Sequence, residues 1–331
     1  MSACRIFAAL CLVAALPLHA HEIGMAKVEA AFLRDGTYIV DLLIDREHVL
    51  PGTSLADIAQ STVLSFDGQR VFPPPPQITN GAMTRLRLRG RTPPAVSQFT
   101  FANNDFQGFY ALTLRNEGHA AAVTQWVEGN KRSEPFPLDR AVVPKRRTEI
   151  AWQYLVLGFT HILPKGLDHV LFVLGIFLLA VRLRPVLWQV TAFTLAHTIT
   201  LALTIYGVVS LPPNIVEPLI ALSIAYVAIE NIFTDKLHAW RPVIVFGFGL
   251  LHGMGFAGVL SEIGLPRSEF LPALLAFNIG VELGQLTVIL AAFVITWPLR
   301  RKPWYRTRVV IPASLLIAAV ALYWFVQRLG G

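Results

Sequence analysis

From about residue 150 onward the chain is a series of apolar runs, most of them about 20 residues long, divided by short polar loops. A bilayer core about 30 Å thick takes about that length of helix to cross. Inside it no water is available to free N–H and C=O groups, so only helices and closed barrels span it. Runs of this length commit the second half of the chain to membrane helices. Hydrophobic residues make up 54% of the sequence and charged residues 15%, less charge than a soluble domain of this size carries.

Ionisable side chains nevertheless stand within the runs: Asp168, His169, His197, Glu230, His252 and Glu282. One such group at mid-membrane costs roughly 2.5–3.5 kcal/mol on insertion scales. Their presence on several different spans points to one shared polar site.

The apolar runs fall near 167–181, 186–207, 214–234, 242–260, 271–298 and 309–327, which predicts six crossings. A further segment, 151–163, is short and ends at Pro164-Lys165-Gly166, so it reads as a half-helix or re-entrant piece packed on the first span. Residues 1–20 have the form of a secretory signal, with Arg5, an apolar stretch and a small-residue cleavage site at Leu18-His19-Ala20. Cys4 and Cys11 both lie in that segment, and cleavage leaves neither a thiol ligand nor a disulfide. The large Leu10 before Cys11 argues against a lipoprotein.

An exported front end places Arg182 and Arg184, then Lys236 and Arg241, then Arg300, Arg301, Lys302, Arg306 and Arg308 in cytoplasmic loops. Lys145, Arg146 and Arg147 are the exception, on the outer side. The formal net charge of +7 is therefore a topology signal and implies no nucleic-acid partner.

Residues 21–140 carry strand signals at 38–44, 62–66, 83–88, 98–101, 109–114 and 122–127, separated by Gly, Pro and Asn clusters. This spacing predicts a small all-β domain, an antiparallel sandwich, here extracytoplasmic, joined by a linker at 141–150 to a helical membrane domain at 151–331. The sandwich shows no catalytic constellation, and His48 and His119 read as ordinary surface or edge histidines. His21 differs, because a mature N-terminus there offers an amine and a ring nitrogen together as a chelate for a divalent metal.

Five membrane segments carry chemistry. In His161-Ile-Leu-Pro-Lys-Gly-Leu-Asp168-His169 the Pro and Gly break the helix and set a carboxylate and an imidazole at the start of the next. Asp168 is also a helix-capping residue type. Thr194, His197 and Thr198 share one helix face. Asn214 and Glu217 have capping-box spacing, while Ser223, Tyr226 and Glu230 share a face further on. His252 lies among Gly247, Gly249, Gly253 and Gly255, which let another helix come close. Asn278, Glu282 and Gln285 stack at spacings of four and three, a carboxylate flanked by two amides.

Together, Gly166-Leu-Asp-His-Val-Leu, Phe193-Thr-Leu-Ala-His-Thr, 246–256 and 277–285 resemble the HupE/UreJ family of membrane proteins, accessory to hydrogenase and urease systems and regarded as nickel or cobalt permeases. The matching stretches cover the membrane half in the family's order. The large outer domain places the chain with a longer branch, since short members begin almost at the first span. The Asp168-His169 pair also looks like the His-x4-Asp-His signature of nickel and cobalt permeases. Here His161 precedes Asp168 by seven positions, a departure that weakens any residue-for-residue ligand assignment from that second family.

The leading expectation is an inner-membrane permease of a bacterial cell passing a divalent transition metal, nickel or cobalt, with no tightly bound cofactor. His161, Asp168, His169, His197, His252 and Glu282 are the expected ligands, with Glu230, Asn278 and Gln285 as relay groups. Its partners are then the metal, the bilayer and proteins of metal delivery or metalloenzyme maturation. An intramembrane zinc or iron enzyme is the alternative on the same residues, though no base or nucleophile stands at a recognisable spacing. A membrane-anchored metal chaperone or sensor is a third reading, opposed by the buried charges on several spans. No nucleotide-binding loop is present in the sequence.

Overall fold

The computed structural model describes residues 26–44, 54–79, 84–106, 109–141, 146–179, 182–209, 211–261 and 267–329, with the side chains of 119–121, 256–261 and 267–269 among those left undescribed. The expected signal segment, His21, His48 and the side chain of His119 lie outside this description. The chain divides into two compact units, with a boundary in sequence between Arg146 and Arg147.

The first unit is all but entirely β. Strands β1 (Ala26–Phe32), β2 (Thr37–Ile44), β5 (Gln77–Thr79), β6 (Thr84–Arg91), β8 (Phe109–Asn116) and β9 (His119–Glu128) form a six-stranded sheet in the order β5-β6-β2-β1-β8-β9. Strands β3 (Thr62–Phe66), β4 (Gln69–Val71), β7 (Gln98–Asn103) and β10 (Phe136–Pro137) form a second sheet in the order β10-β7-β3-β4. Alternation drives the layering. In β6, Leu86 and Leu88 are buried while Arg85 and Arg89 are exposed. Phe32 of the large sheet meets Phe66, Phe99 and Phe136 of the small one at centroid distances of 6.2, 4.9 and 5.9 Å, which closes a common core. Gly36, at φ 77°, makes the tight β1–β2 turn that only glycine adopts without strain. A short helix α1 (Leu55–Ser61) opens on a capping box, in which the Ser54 hydroxyl and backbone N–H hold the Asp57 carboxyl below the usual carboxylate range.

The sandwich is not wholly antiparallel, because β1 pairs parallel with β8. Sequence alternation is the same in either pairing direction, so it carries no information on this point.

The second unit is helical: α2 (Arg147–Ile162), α3 (Leu167–Leu179), α4 (Leu183–Ile205), α5 (Pro213–Phe233), α6 (Arg241–Ser261), α7 (Arg267–Thr296) and, after a π-turn at Arg306–Val310, α8 (Ile311–Leu329). The Pro164–Gly166 break is where the sequence puts it, and α2 and α3 meet there at 69°. Among the described residues four helices are long and apolar enough to cross a membrane, or five if the bent pair counts as one span. At 13 residues α3 rises only about 20 Å, too little to cross alone. The expected capping box at Asn214 and Glu217 does not form; α5 begins at Pro213 with Pro212 as its cap and no side-chain cap bond.

Exposure in this unit is inverted relative to a soluble protein. On α4, Gln189, Thr194, His197 and Thr200 are buried while Leu187, Trp188, Leu195 and Ile199 are exposed. On α7, Asn278 and Gln285 are buried while Leu275, Ile279, Leu283 and Leu290 face out. Apolar outside and polar inside is the pattern of helices solvated by lipid. Arg300 lies over the rings of Phe177 and Phe293 and Arg306 donates to the Ile232 carbonyl, so basic residues gather where α3, α5 and α7 end.

Candidate metal centre

Glycines bring the helix backbones together around the centre. A Cβ on Gly253 would run into the backbone of His197, and one on Gly249 into that of Phe193, so α6 lies directly on α4. On the other flank Gly158 of α2 abuts the Phe277 carbonyl and Gly280 of α7 abuts that of Leu155. Two close crossings and the α2–α3 bend aim four helices' side chains at one point.

That point is a group of histidines. His161 at the end of α2, His169 in the first turn of α3 and His197 in the middle of α4 place their ligand nitrogens within 4.8 Å of one another. His161 and His169 are eight positions apart in sequence, and the bend brings their rings to 4.8 Å. His252 from α6 adds a fourth ring 4.9 Å from that of His169. Phe193 and Phe172 pack against the His252 ring at 5.0 and 5.2 Å.

Neighbouring hydrogen bonds fix the tautomers of two of these rings. Asn278 donates its amide to the Leu274 carbonyl at 2.9 Å, which turns its oxygen toward His197 Nδ1 at 3.2 Å. Nδ1 is then the N–H, and the lone pair on Nε2 is open; that atom has no hydrogen-bond partner. Ser223 donates to the Ile220 carbonyl at 2.6 Å and so accepts from His252 Nε2 at 3.2 Å. His252 Nδ1 is left as the open lone pair, again without a partner. His169 Nε2 is likewise buried with no partner. Open, buried imidazole lone pairs are what a divalent transition metal binds.

Two nitrogens on one tetrahedral metal stand about 3.4 Å apart at the usual bond length of about 2.1 Å. With ligand atoms up to 4.8 Å apart, the group must contract by about 1.4 Å at its widest to grip an ion. It fits such a cation as a loose site, not as a rigid structural one.

The other residues singled out in the sequence stand elsewhere. Asp168 is paired with Arg328, whose Nη2 donates to Oδ2 at 2.9 Å. Glu282 accepts from Thr191 at 2.7 Å, with its second oxygen buried and unpartnered, and Gln285 accepts from Thr194 at 2.9 Å. With Asn278 they line one face of α7 along α4. Glu230 lies beside Arg241, 3.3 Å from Oε2 to Nε. Among the described residues, the only group of three or more His, Cys, Asp or Glu ligand atoms this close is His161, His169 and His197.

Sequence reasoning missed Arg328, Arg241 and Thr191 as partners of the acids. Arg241 counts in sequence as a loop cation, yet it is 1% exposed and its Nη2 donates to Asn231 at 3.1 Å. An apolar helix that ends in an arginine, as α8 does, is the one signal that pointed at Arg328.

The helices, their inverted exposure and the internal histidines define a multi-pass membrane protein with a polar centre. A profile of the HupE / UreJ protein family matches residues 138–328. The chain belongs to that family, over the entire helical unit, with the β unit lying ahead of the matched region. No curated protein and no solved structure matches the chain.

Proposed function

We propose that the helical unit is a permease for a divalent transition metal, nickel or cobalt, and that His161, His169 and His197 are the ligands that hold the ion in transit. The observation that carries this is that His161, His169 and His197 bring their ligand nitrogens within 4.8 Å of one another inside a lipid-solvated bundle, with His169 Nε2 and His197 Nε2 buried and without a hydrogen-bond partner. Its looseness supports transport, since a conducting site must bind well enough to take an ion and weakly enough to release it. His252 is the next ligand in line. Asn278 acts through His197 as a positioning residue, and Glu282 and Gln285 continue the polar lining along α4. The metal is cargo, and metal-delivery or metalloenzyme-maturation proteins are its recipients.

In this reading the bilayer is the bacterial inner membrane. The basic end of the bundle faces the cytoplasm and the β unit lies in the periplasm. The bent α2–α3 pair counts as one crossing and α6 supplies the sixth.

Titration of purified full-length protein in detergent with nickel and cobalt tests the site. One ion per chain, with affinity lost in a His169→Ala, His197→Ala variant that still unfolds at the wild-type temperature, is expected. Equal binding by both proteins would remove the histidines from the account.

A further inference from the structure

Two ion pairs stand on either side of the histidine cluster, and α5 measures their spacing. Near its start, the Glu217 carbonyl accepts from Arg328 Nη1 at 3.2 Å, and the same guanidinium holds Asp168. In its middle, Ser223 accepts from His252. Near its end, Glu230 faces Arg241. At 1.5 Å of rise per residue, the two pairs lie about 9 Å and about 10 Å along the helix from the level of the cluster.

These pairs are not surface pairs. The Arg328 and Asp168 side chains are 10% and 16% exposed, and those of Arg241 and Glu230 are 1% and 11%. Burying opposite charges in this way is a poor device for stability, because apolar residues of the same volume pack as well without the loss of hydration. The inner pair is also badly made. Neither oxygen of Glu230 receives a hydrogen bond, and Arg241 Nε and Nη1 donate none. The β unit shows what a settled pair looks like in this chain, with Arg87 Nε and Nη2 each donating to Asp41 at 2.8 Å. Glu230 and Arg241 are held close without being locked.

We propose that Asp168 and Glu230 are outer and inner cation stations flanking the histidines, and that Arg328 and Arg241 are tethered counter-cations that fill them when no metal is there. A guanidinium and a divalent ion held on one carboxylate repel each other, so an arriving ion loosens and displaces the arginine, and the arginine's return favours departure of the ion. The Arg328 guanidinium lies 5.6 Å over the Trp324 ring while it holds Asp168, a contact that tethers it beside the station when the carboxylate is given up. Each station is thus neutral when empty, which keeps other cations out of the path. The inference rests on the permease reading above.

The test is nickel flux into proteoliposomes of full-length protein enclosing a metal-sensitive dye, with nickel affinity and unfolding temperature measured on the same preparations. Arg241→Gln and Arg328→Gln leave a carboxylate without its arginine, which captures the ion and releases it slowly. Both KM and kcat are expected to fall, kcat by about tenfold, with affinity at the histidines within about threefold of wild type. Arg241→Lys and Arg328→Lys keep the charge but lose the planar fork, and are expected to fall between the glutamine variants and wild type, with kcat about threefold below wild type. They also serve if the glutamine variants do not fold, and Lys variants matching wild type in both KM and kcat would then count against displacement, because a shorter point charge holds the carboxylate differently. Wild-type flux with unchanged KM and kcat in the folded glutamine variants overturns the stations alone. Nickel binding without flux in the wild type overturns the permease reading, and the stations with it.

Discussion

Asn103 in the β unit and His197 in the helical unit are both completely buried, and they use their polar atoms in opposite ways. Asn103 spends all it has. Its amide donates to the Ile58 carbonyl and the Thr62 hydroxyl at 3.0 and 2.9 Å, and its oxygen accepts from Asp105 N–H and the Ser61 hydroxyl at 2.9 and 3.2 Å. His197 is held by Asn278 on one nitrogen and leaves the other open toward two more histidines. Burying an unsatisfied polar atom costs about 1–3 kcal/mol, so a fold gains nothing from such an arrangement by itself. The contrast separates a polar residue that builds the structure from one that the permease reading assigns to a ligand in the helical unit.

Substitutions can break this contrast. The largest effect is expected from His169→Ala with His197→Ala, which should weaken nickel or cobalt affinity by more than about a hundredfold, beyond the 10- to 100-fold that an outer partner of a ligand carries. Unfolding temperature should hardly move, as the lost atoms make few bonds. Asn103→Ala should do the reverse, destabilising the β unit by about 2–4 kcal/mol in thermal unfolding of the full chain while leaving metal affinity alone. Asn278→Leu removes the group that sets the His197 tautomer, and a fall in affinity of about tenfold is expected by titration. Thr191→Val takes one hydrogen bond from Glu282 at the edge of the lining, and a change of about threefold in the KM for uptake is the expected size. If Asn103→Ala and the histidine pair gave the same stability loss, the two kinds of burial would not differ as claimed.

Much of this architecture is legible in the sequence because its signals are local. Strands at 37–44, 62–66 and 98–103 follow from alternation, and the break between α2 and α3 from Pro164 and Gly166. Strand β1 is hidden because Ala26-Lys-Val-Glu-Ala-Ala-Phe32 is rich in alanine, a weak strand former, although its alternation is correct. The four histidines are visible one by one, but only the 69° bend and the glycine crossings show that they meet. The acids illustrate the limit. Asp168 and Arg328 are 160 positions apart, and no local pattern announces that a carboxylate at a helix start is matched by an arginine at the end of the chain. Arg241 misleads for a related reason, since a cation one step outside an apolar run looks like a loop residue until α6 is seen to begin with it.

Accumulation of nickel, cobalt, copper and zinc in cells bearing the wild type or the His169→Ala, His197→Ala variant at equal membrane abundance tests the central claim most directly. The account predicts a rise in nickel or cobalt with the wild type that the variant abolishes. Equal metal contents in the two strains, with the wild type present in the membrane, would contradict it.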